Sequence, residues 1–399
     1  MKILQLTKKF PFPLKDGESI AVTNLSKSLV KHGCEMTLLS MNTSKHFVEI
    51  DQLPETYNHY KAIHTIFLDN RVTAIGAISN LFSSESYHVS RFDFAEYHEK
   101  LIELLKAEEF DVVQLETLYL ASYIETIKEH SSAKVVMRSH NVEFEIWNRV
   151  VASTSFLPKR IYLGHLTNKL RRFELEMLGH YDALVTVTQR DLDKYTNLGY
   201  KGTGVASPIG LDVNRYTPEV NDIYQPSLSF IGSLDWMPNL DGLDWFLKSV
   251  FPSIIQLYPD LNVHIAGRNT PKSILNISND NILIHGEVDS ATDFINSHPI
   301  MIVPLLSGSG MRVKILEGMA LGKVIISTSI GAEGIKAVHK ESILLADTPE
   351  EFLECIQWLL NNPERMNKVG KAARFFISEN FDEERNAEKL IRFYHGLLT

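Results

Sequence analysis

Short apolar runs alternating with stretches of helical periodicity organise this chain. Residues 2–6 (KILQL) read as a buried strand, and the loop TKKFPFPLKDGES leads from it into a helix from about Ile20 to His32, where apolar residues recur at helical spacing. EMTLLSM, FDVVQLE (110–116), KVVMRSH (134–140) and ALVTVT (183–188) are further apolar runs with helical segments between them. Such alternation predicts a parallel, doubly wound sheet. Pro208, Gly210 and Pro218 then punctuate a linker, SPIGLDVNRYTPEV, after which the pattern restarts. SLSFIGS, LNVHIAGR, ILIHGEV, PIMIVPL and KVIIST are the second set of strands, each apolar enough to be buried on both faces. The last segment, Asn380 to Leu398, has Ala387, Leu390, Ile391, Tyr394 and Leu398 along one helical stripe.

Length sharpens this picture: 399 residues exceed one typical core and fit two α/β domains. A net charge of −9 argues against a nucleic-acid partner, since phosphate neutralisation needs clustered cations. The excess acid lies almost wholly in the second half, so repulsion from anionic lipid need not apply to the first. Cys34 and Cys355 are far apart and have no CxxC or Cys/His spacing, which predicts reduced structural thiols in a cytoplasmic protein. No run approaches the length of a membrane span and the first residues are too short a run for a signal peptide, so any membrane contact is expected to be peripheral.

The most chemically informative stretch is Ser307 to Thr328, SGSGMRVKILEGMALGKVIIST. A glycine-rich turn opens a helix carrying Arg312, Lys314 and Glu317, then runs into an apolar strand. Gly308 and Gly310 let backbone approach an anion, and a helix N-terminus offers unpaired N–H groups. Lys314 and Glu317 share a helix face, where a cation can meet phosphate and a carboxylate can accept from ribose hydroxyls.

This segment resembles the C-terminal nucleotide-sugar site of the group 1 (family 4 type) retaining glycosyltransferases of the GT-B fold, in the branch whose pattern reads GTGMRLKILEAMA. In that family two glutamates stand eight positions apart; Glu317 matches the second, and Ser309 occupies the place of the first. The resemblance implies two Rossmann-like domains facing each other across a cleft: 1–205 for the acceptor, 206–379 for the nucleotide sugar, and a helix 380–399 crossing back onto the first. It implies donor contacts from Gly17, Gly308, Ser309, Gly310, Met311 and Glu317, to which the charge demand of a diphosphate adds Arg268. Catalytic roles fall to His140, Arg312 and Lys314, with no cofactor and no metal.

Gly17 precedes a helix at a strand's carboxyl end, where doubly wound sheets bind ligands. His140 ends KVVMRSH, so its imidazole can meet a sugar hydroxyl or charge at the anomeric centre, and the family has a histidine at the matching strand end. Glu143 and Glu145 read as carboxylates at a helix N-terminus. Many relatives grip the diphosphate with an arginine and a lysine where Ser233 and Asn239 stand here; Arg312, Lys314 and Arg268 can supply that charge, although Arg268 fits a structural ion pair equally well. Asp191 and Asp193 are better explained as a helix start capped by Thr188 than as a metal pair. Leu157 to Leu178 carries Lys159, Arg160, Lys169, Arg171 and Arg172 among apolar residues. It reads either as a helix lying on anionic lipid or as a solvated helix balanced by Glu174 and Glu176.

The expected activity is transfer of a sugar from a nucleotide-sugar donor to a glycan or lipid-linked glycan in cell-surface polysaccharide biosynthesis, with retention of configuration. The expected location is cytoplasmic, at the inner face of the plasma membrane. A nucleotide-sugar epimerase on the same fold and a catalytically degenerate assembly subunit are the alternatives; product analysis without acceptor separates the first, and absence of donor turnover the second.

Overall fold

The computed structural model describes residues 1–14, 17–69, 83, 85–219, 226–308 and 311–399. It forms two compact units, one of Met1–Gly210 with Glu383–Thr399 and one of Leu211–Asp382. The chain thus changes unit at Gly210 and Asp382, where the sequence pattern sets boundaries at 205 and 379.

In the first unit the order is β1 (Lys2–Thr7), α1 (Gly17–Lys31), β2 (Glu35–Thr43), β3 (Ala62–Leu68), α2 (Ala95–Ala107), β4 (Val112–Leu115), α3 (Ile124–His130), β5 (Lys134–Ser139), α4 (Glu143–Ser153), α5 (Leu157–Met177), β6 (Ala183–Thr186), α6 (Gln189–Asn197) and β7 (Thr203–Ala206). The sheet is parallel, in the order β3-β2-β1-β4-β5-β6-β7. In the second unit β8 (Ser227–Ile231), α7 (Met237–Trp245), β9 (Asn262–Ala266), β10 (Ile282–Gly286), α8 (Ala291–Asn296), β11 (Ile300–Val303), α9 (Val313–Ala320), β12 (Val324–Ser327), β13 (Leu344–Leu345), α10 (Pro349–Leu360) and α11 (Glu364–Asn380) follow. They build a parallel sheet in the order β10-β9-β8-β11-β12-β13. The last helix, α12 (Glu383–Leu398), belongs to the first unit.

Side chains alternate across each sheet, so every buried strand feeds two cores. In the first unit Ile3, Val112 and Val136 pack with Ala387, Leu390 and Tyr394 of α12, whereas Leu4, Val113 and Val135 pack with α2 and α3 through Leu101, Leu104 and Ile127. In the second, Ile300, Ile302 and Val324 join α10 through Phe352 and Ile356, and Met301, Val303 and Ile325 join α9 and α11 through Ile315, Leu316 and Ile377. Local signals fix the helix starts. Thr348 and Glu351 form a reciprocal capping box at α10, and Thr188 Oγ1 accepts from Asp191 N at 3.0 Å at α6, so the aspartate pair marks a helix start.

Some expectations need correction. The helix predicted from Ile20 begins at Gly17. β3, β7 and β13 have no counterpart among the apolar runs, because β3 and β7 are largely part-exposed and β13 is two residues long. ILIHGEV is not buried on both faces: β10 lies at the sheet edge, and Leu283 is 37% exposed. Cys34 and Cys355 are buried, unpaired with each other, and in different units.

Three histidines stack on the second sheet. His264 Nδ1 is 3.0 Å from His285 Nε2, the His264 and His298 rings are 4.1 Å apart, and His298 Nδ1 meets Ser227 Oγ at 3.1 Å. Burial, then the neighbouring His264, His285 and Lys323, lower the His298 pKa from 6.5 to about 4. The unfolded chain therefore binds more protons between these values, so stability falls as pH drops from about 6.5 to about 4. Urea titrations should show a larger loss of midpoint over this interval in wild type than in His298→Gln; equal losses would refute it.

Candidate functional site

At the carboxyl end of the second sheet, the chain leaving β8 must pass very close to α7 and α9. A Cβ on Gly232 would lie 2.7 Å from Asn239 Nδ2 and 3.2 Å from Lys314 Nζ, so only glycine leaves room for both side chains. Asn239 Nδ2 donates to Ser233 O at 2.9 Å, and Asn239 Oδ1 accepts from Lys314 Nζ at 3.0 Å. Lys314 also donates to Ile231 O at 3.1 Å and lies over the Phe230 ring. Its hydrogen bonds thus end on two neutral oxygens. Desolvation and the adjacent Arg312 charge lower its pKa to about 7.

Arg312 is not on the helix, as the sequence pattern suggests, but is the N-cap residue of α9 and lacks a capping side-chain bond. Its guanidinium carbon lies 5.4 Å from the Trp236 ring centroid. Gly308, in the left-handed region at φ +110°, packs against the same pair; a Cβ there would lie 2.8 Å from Arg312 Nη2. Met311 packs beside the α9 core, whereas Ser309 and Gly310 lie outside the described residues. Glu317 accepts from Tyr216 Oη at 3.1 Å, and burial raises its pKa while this bond opposes the shift. Lys314 and Glu317 therefore serve different partners and form no mutual ion pair.

Arg268 follows β9, and its main-chain oxygen accepts from Leu234 N at 2.9 Å. Asp235 joins the two loops, accepting from Ser233 Oγ at 2.6 Å and Asn269 Nδ2 at 3.0 Å. The Ser233 bond is the main cause that holds the Asp235 carboxyl low, with a smaller contribution from Arg268. Gly308, Met311, Arg312, Lys314, Glu317 and Arg268 all belong to the second unit, and Gly17 and His140 to the first.

Gly17 is the first residue of α1, and the next residue, Glu18, lies 3.4 Å from Lys8 Nζ, which stands over the Tyr119 ring. His140 Nε2 is 2.9 Å from Glu116 Oε2, which also receives Arg138 Nη1 at 2.8 Å. Glu116 and Arg138 are each 1% exposed. Burial raises the Glu116 pKa, but Arg138 and His140 outweigh it and hold the carboxyl at about 2.

Glu143 and Glu145 do occupy the first turn of α4, but Glu143 is buried and accepts from Tyr119 Oη at 2.8 Å. Glu174 is not a solvated partner for basic residues. It is buried on α5, accepting from Glu143 N, Phe144 N and Tyr195 Oη, and so caps α4 from the next helix. Lys169 is also buried and donates to Ser83 O at 2.6 Å. Arg171 and Arg172 are exposed, and so is the start of the segment, where Phe156, Leu157 and Ile161 are 65%, 62% and 66% exposed beside exposed Lys159 and Arg160.

Glu116, Arg138, Tyr216 and Trp236 join these clusters without having been singled out in the sequence. For the first two the signal existed: in the buried runs FDVVQLE and KVVMRSH, Glu116 shares a strand face with Gln114 and Val112, and Arg138 with Val136, so each run places a charge on an inward face.

With two parallel α/β units of this topology, the chain has a GT-B architecture. Residues 225–362 match the family model described as Glycosyl transferases group 1. Along 96% of its length the chain is 24% identical to an uncharacterized 44.6 kDa protein in the cps region of Klebsiella pneumoniae, covering 97% of that protein. It resembles the sucrose-phosphate synthase structure from Thermosynechococcus elongatus with TM-score 0.69 and 15% identity, covering 100% of this chain and 99% of that one. Anabaena Alr3699/HepE, solved in complex with UDP, gives TM-score 0.68 at 11% identity over 99% and 100% of the two chains. The family match over residues 225–362 supports glycosyl transfer of the group 1 kind for the second unit, and the likeness to the solved structures shows the fold.

Proposed function

We propose that the second unit binds a nucleotide sugar and that the sugar passes, with retention of configuration and without an obligatory metal, to a glycan or lipid-linked glycan held by the first unit. The observation that carries this reading is the pair Arg312 and Lys314 at the start of α9. Two adjacent cations, one of them hydrogen-bonded only to neutral oxygens, meet at a helix N-terminus, an arrangement suited to a diphosphate leaving group. Gly308 and Met311 would bring their backbone to the phosphates, Glu317 would accept from the ribose, and Arg268 would add charge. His140, with the loop at Gly17, would meet the sugar side. A nucleotide-sugar donor accords with HepE having been solved with UDP and with UDP-glucose.

Thermal-shift measurements against a panel of nucleotide sugars test donor binding, since a ligand at 100 times its dissociation constant stabilises by about 2.7 kcal/mol. With the donor so found, transfer should survive EDTA and the product should keep the donor's anomeric configuration by NMR. Inversion, or activity restored only by added divalent metal, would refute the mechanism.

The acceptor side of this reading is membrane-associated polysaccharide biosynthesis, with peripheral contact at an anionic inner membrane surface. It is supported by the start of α5. From Ile146 to Phe173 there is no Asp or Glu, and exposed Leu157 and Ile161 share a helix face beside Lys159 and Arg160. Among the described residues no helix is long and apolar enough to cross a membrane. Shallow insertion of the apolar residues with lipid phosphates on the cations fits these features. Co-sedimentation should occur with phosphatidylglycerol-containing vesicles and not with pure phosphatidylcholine, and Phe156→Ser/Ile161→Ser should lose most of it. Undiminished binding in that variant would remove this surface from the model.

A further inference from the structure

The first unit carries a polar band across the carboxyl end of an otherwise apolar sheet face. Gln5 on β1 stands opposite Gln114 on β4, and Glu116 and Arg138 lie two residues beyond Gln114 and Val136 on the same face. Every acceptor position of the Glu116 carboxylate is occupied: Oε1 receives the Gln5 and Gln114 amides, and Oε2 receives Arg138 and His140. The carbonyl ends of both glutamines in turn face tyrosines. Tyr394 Oη of α12 donates to Gln114 Oε1 at 2.6 Å, and Tyr60 Oη lies 2.9 Å from Gln5 Oε1. The tyrosines thus turn both amide N–H groups towards Glu116, leaving it no role but acceptor.

From this geometry we infer that Glu116 is a positioning residue for His140: by accepting the Nε2 proton it fixes the neutral imidazole as the Nε2–H tautomer and presents only Nδ1 to a ligand. With the opposite tautomer, two lone pairs would face each other at 2.9 Å; Arg138 Nη1 also approaches Nε2, but at 3.4 Å, and it already donates to Glu116 Oε2 at 2.8 Å, so the shorter contact decides the tautomer. Arg138, 2.8 Å away, keeps the Glu116 acceptor ionised in a buried place. The consequence is a statement about substrate chemistry. In the neutral ring Nδ1 is then the acceptor, so a ligand of that form is a group that donates, such as a sugar hydroxyl. The inference rests on the reading of His140 as the residue meeting the sugar, but the tautomer can be measured whether or not that reading holds.

The test uses the full-length protein labelled with 15N-histidine, with His140 assigned by comparison with His140→Asn. With the ring neutral, long-range 1H–15N correlations should show a protonated Nε2 and an unprotonated Nδ1; a protonated Nδ1 overturns the proposal. In Glu116→Gln/Arg138→Met, which removes the carboxylate without leaving a buried charge unpaired, both tautomers should appear. Transfer should then lose about 100-fold in kcat with donor KM little changed, the pattern of a histidine that has lost its orienting carboxylate. An unchanged tautomer with unchanged kcat would overturn the positioning role. If this variant does not fold, the wild-type spectrum alone decides. If wild type turns over no donor, the functional reading fails, and the tautomer result still stands for or against Glu116.

Discussion

Lys314→Met should lower transfer by about 10²–10³-fold, equivalent to about 2.7–4 kcal/mol of transition-state stabilisation, while leaving the fold intact. The size follows from where the ammonium sits. It is held by Ile231 O and Asn239 Oδ1 beside Arg312, in a place whose low polarity strengthens any interaction with a leaving diphosphate. Arg312→Met should cost a similar factor, and Glu317→Ala should mainly raise donor KM by removing the ribose acceptor. A pH signature separates charge from shape. With a Lys314 pKa of about 7 in the free protein, a rise in pH above that value removes its charge. Donor KM should therefore climb through this range in wild type and stay flatter in Lys314→Met. Steady-state kinetics of the three variants across pH provide the measurement; wild-type constants throughout would put the donor site elsewhere.

Asn239 explains why this arrangement was only half legible in the sequence. The motif from Ser307 to Thr328 is local, so its glycines, cations and Glu317 could be read as one site. Asn239 and Ser233 stood out instead as missing cations. In the structure Asn239 is a bridge: it takes its own register from Ser233 O and lends its carbonyl to Lys314, a contact 75 residues apart in the chain. Long-range pairings of this kind leave no periodic trace. The same holds for Glu174, whose capping of α4 depends on how α4 and α5 pack and cannot be inferred from the acids around it. Strands were legible where both faces are buried, as in β1, β4, β5 and β11, because continuous apolar runs result. They were missed at the edges β3, β7 and β13, whereas the edge strand β10 kept enough apolar residues to be read. Gln114, Glu116 and Arg138 fall between these cases: once their strands are recognised as buried, period-two alternation obliges three polar groups to meet inside the protein.

That obligation sets the second large effect: Arg138→Met should destabilise the first unit by about 3–5 kcal/mol, because it strands the Glu116 carboxylate in a site where both residues are 1% exposed. Glu116→Gln/Arg138→Met should recover much of the loss, since a neutral amide replaces an uncompensated charge. The wild-type pair also has a pH signature. Burial raises the Glu116 pKa and Arg138 and His140 lower it further, from 4.5 to about 2. A depressed carboxyl pKa contributes stability that is fully present above about 4.5 and is lost as pH falls towards 2. In Arg138→Met the main counter-charge is gone, burial favours the protonated acid, and this contribution disappears. The gap between wild type and Arg138→Met should therefore be widest near neutral pH, narrow as pH falls towards 4.5 and the buried carboxyl of the variant takes up its proton, and narrow further below that as the wild-type contribution is lost. Hydrogen exchange at the amides of β4 and β5, followed from pH 7 to 4 with correction for intrinsic rates, reports the first unit separately from the second. A gap that stays constant across this interval would mean that packing of the arginine stem, and not its charge, is what Glu116 requires.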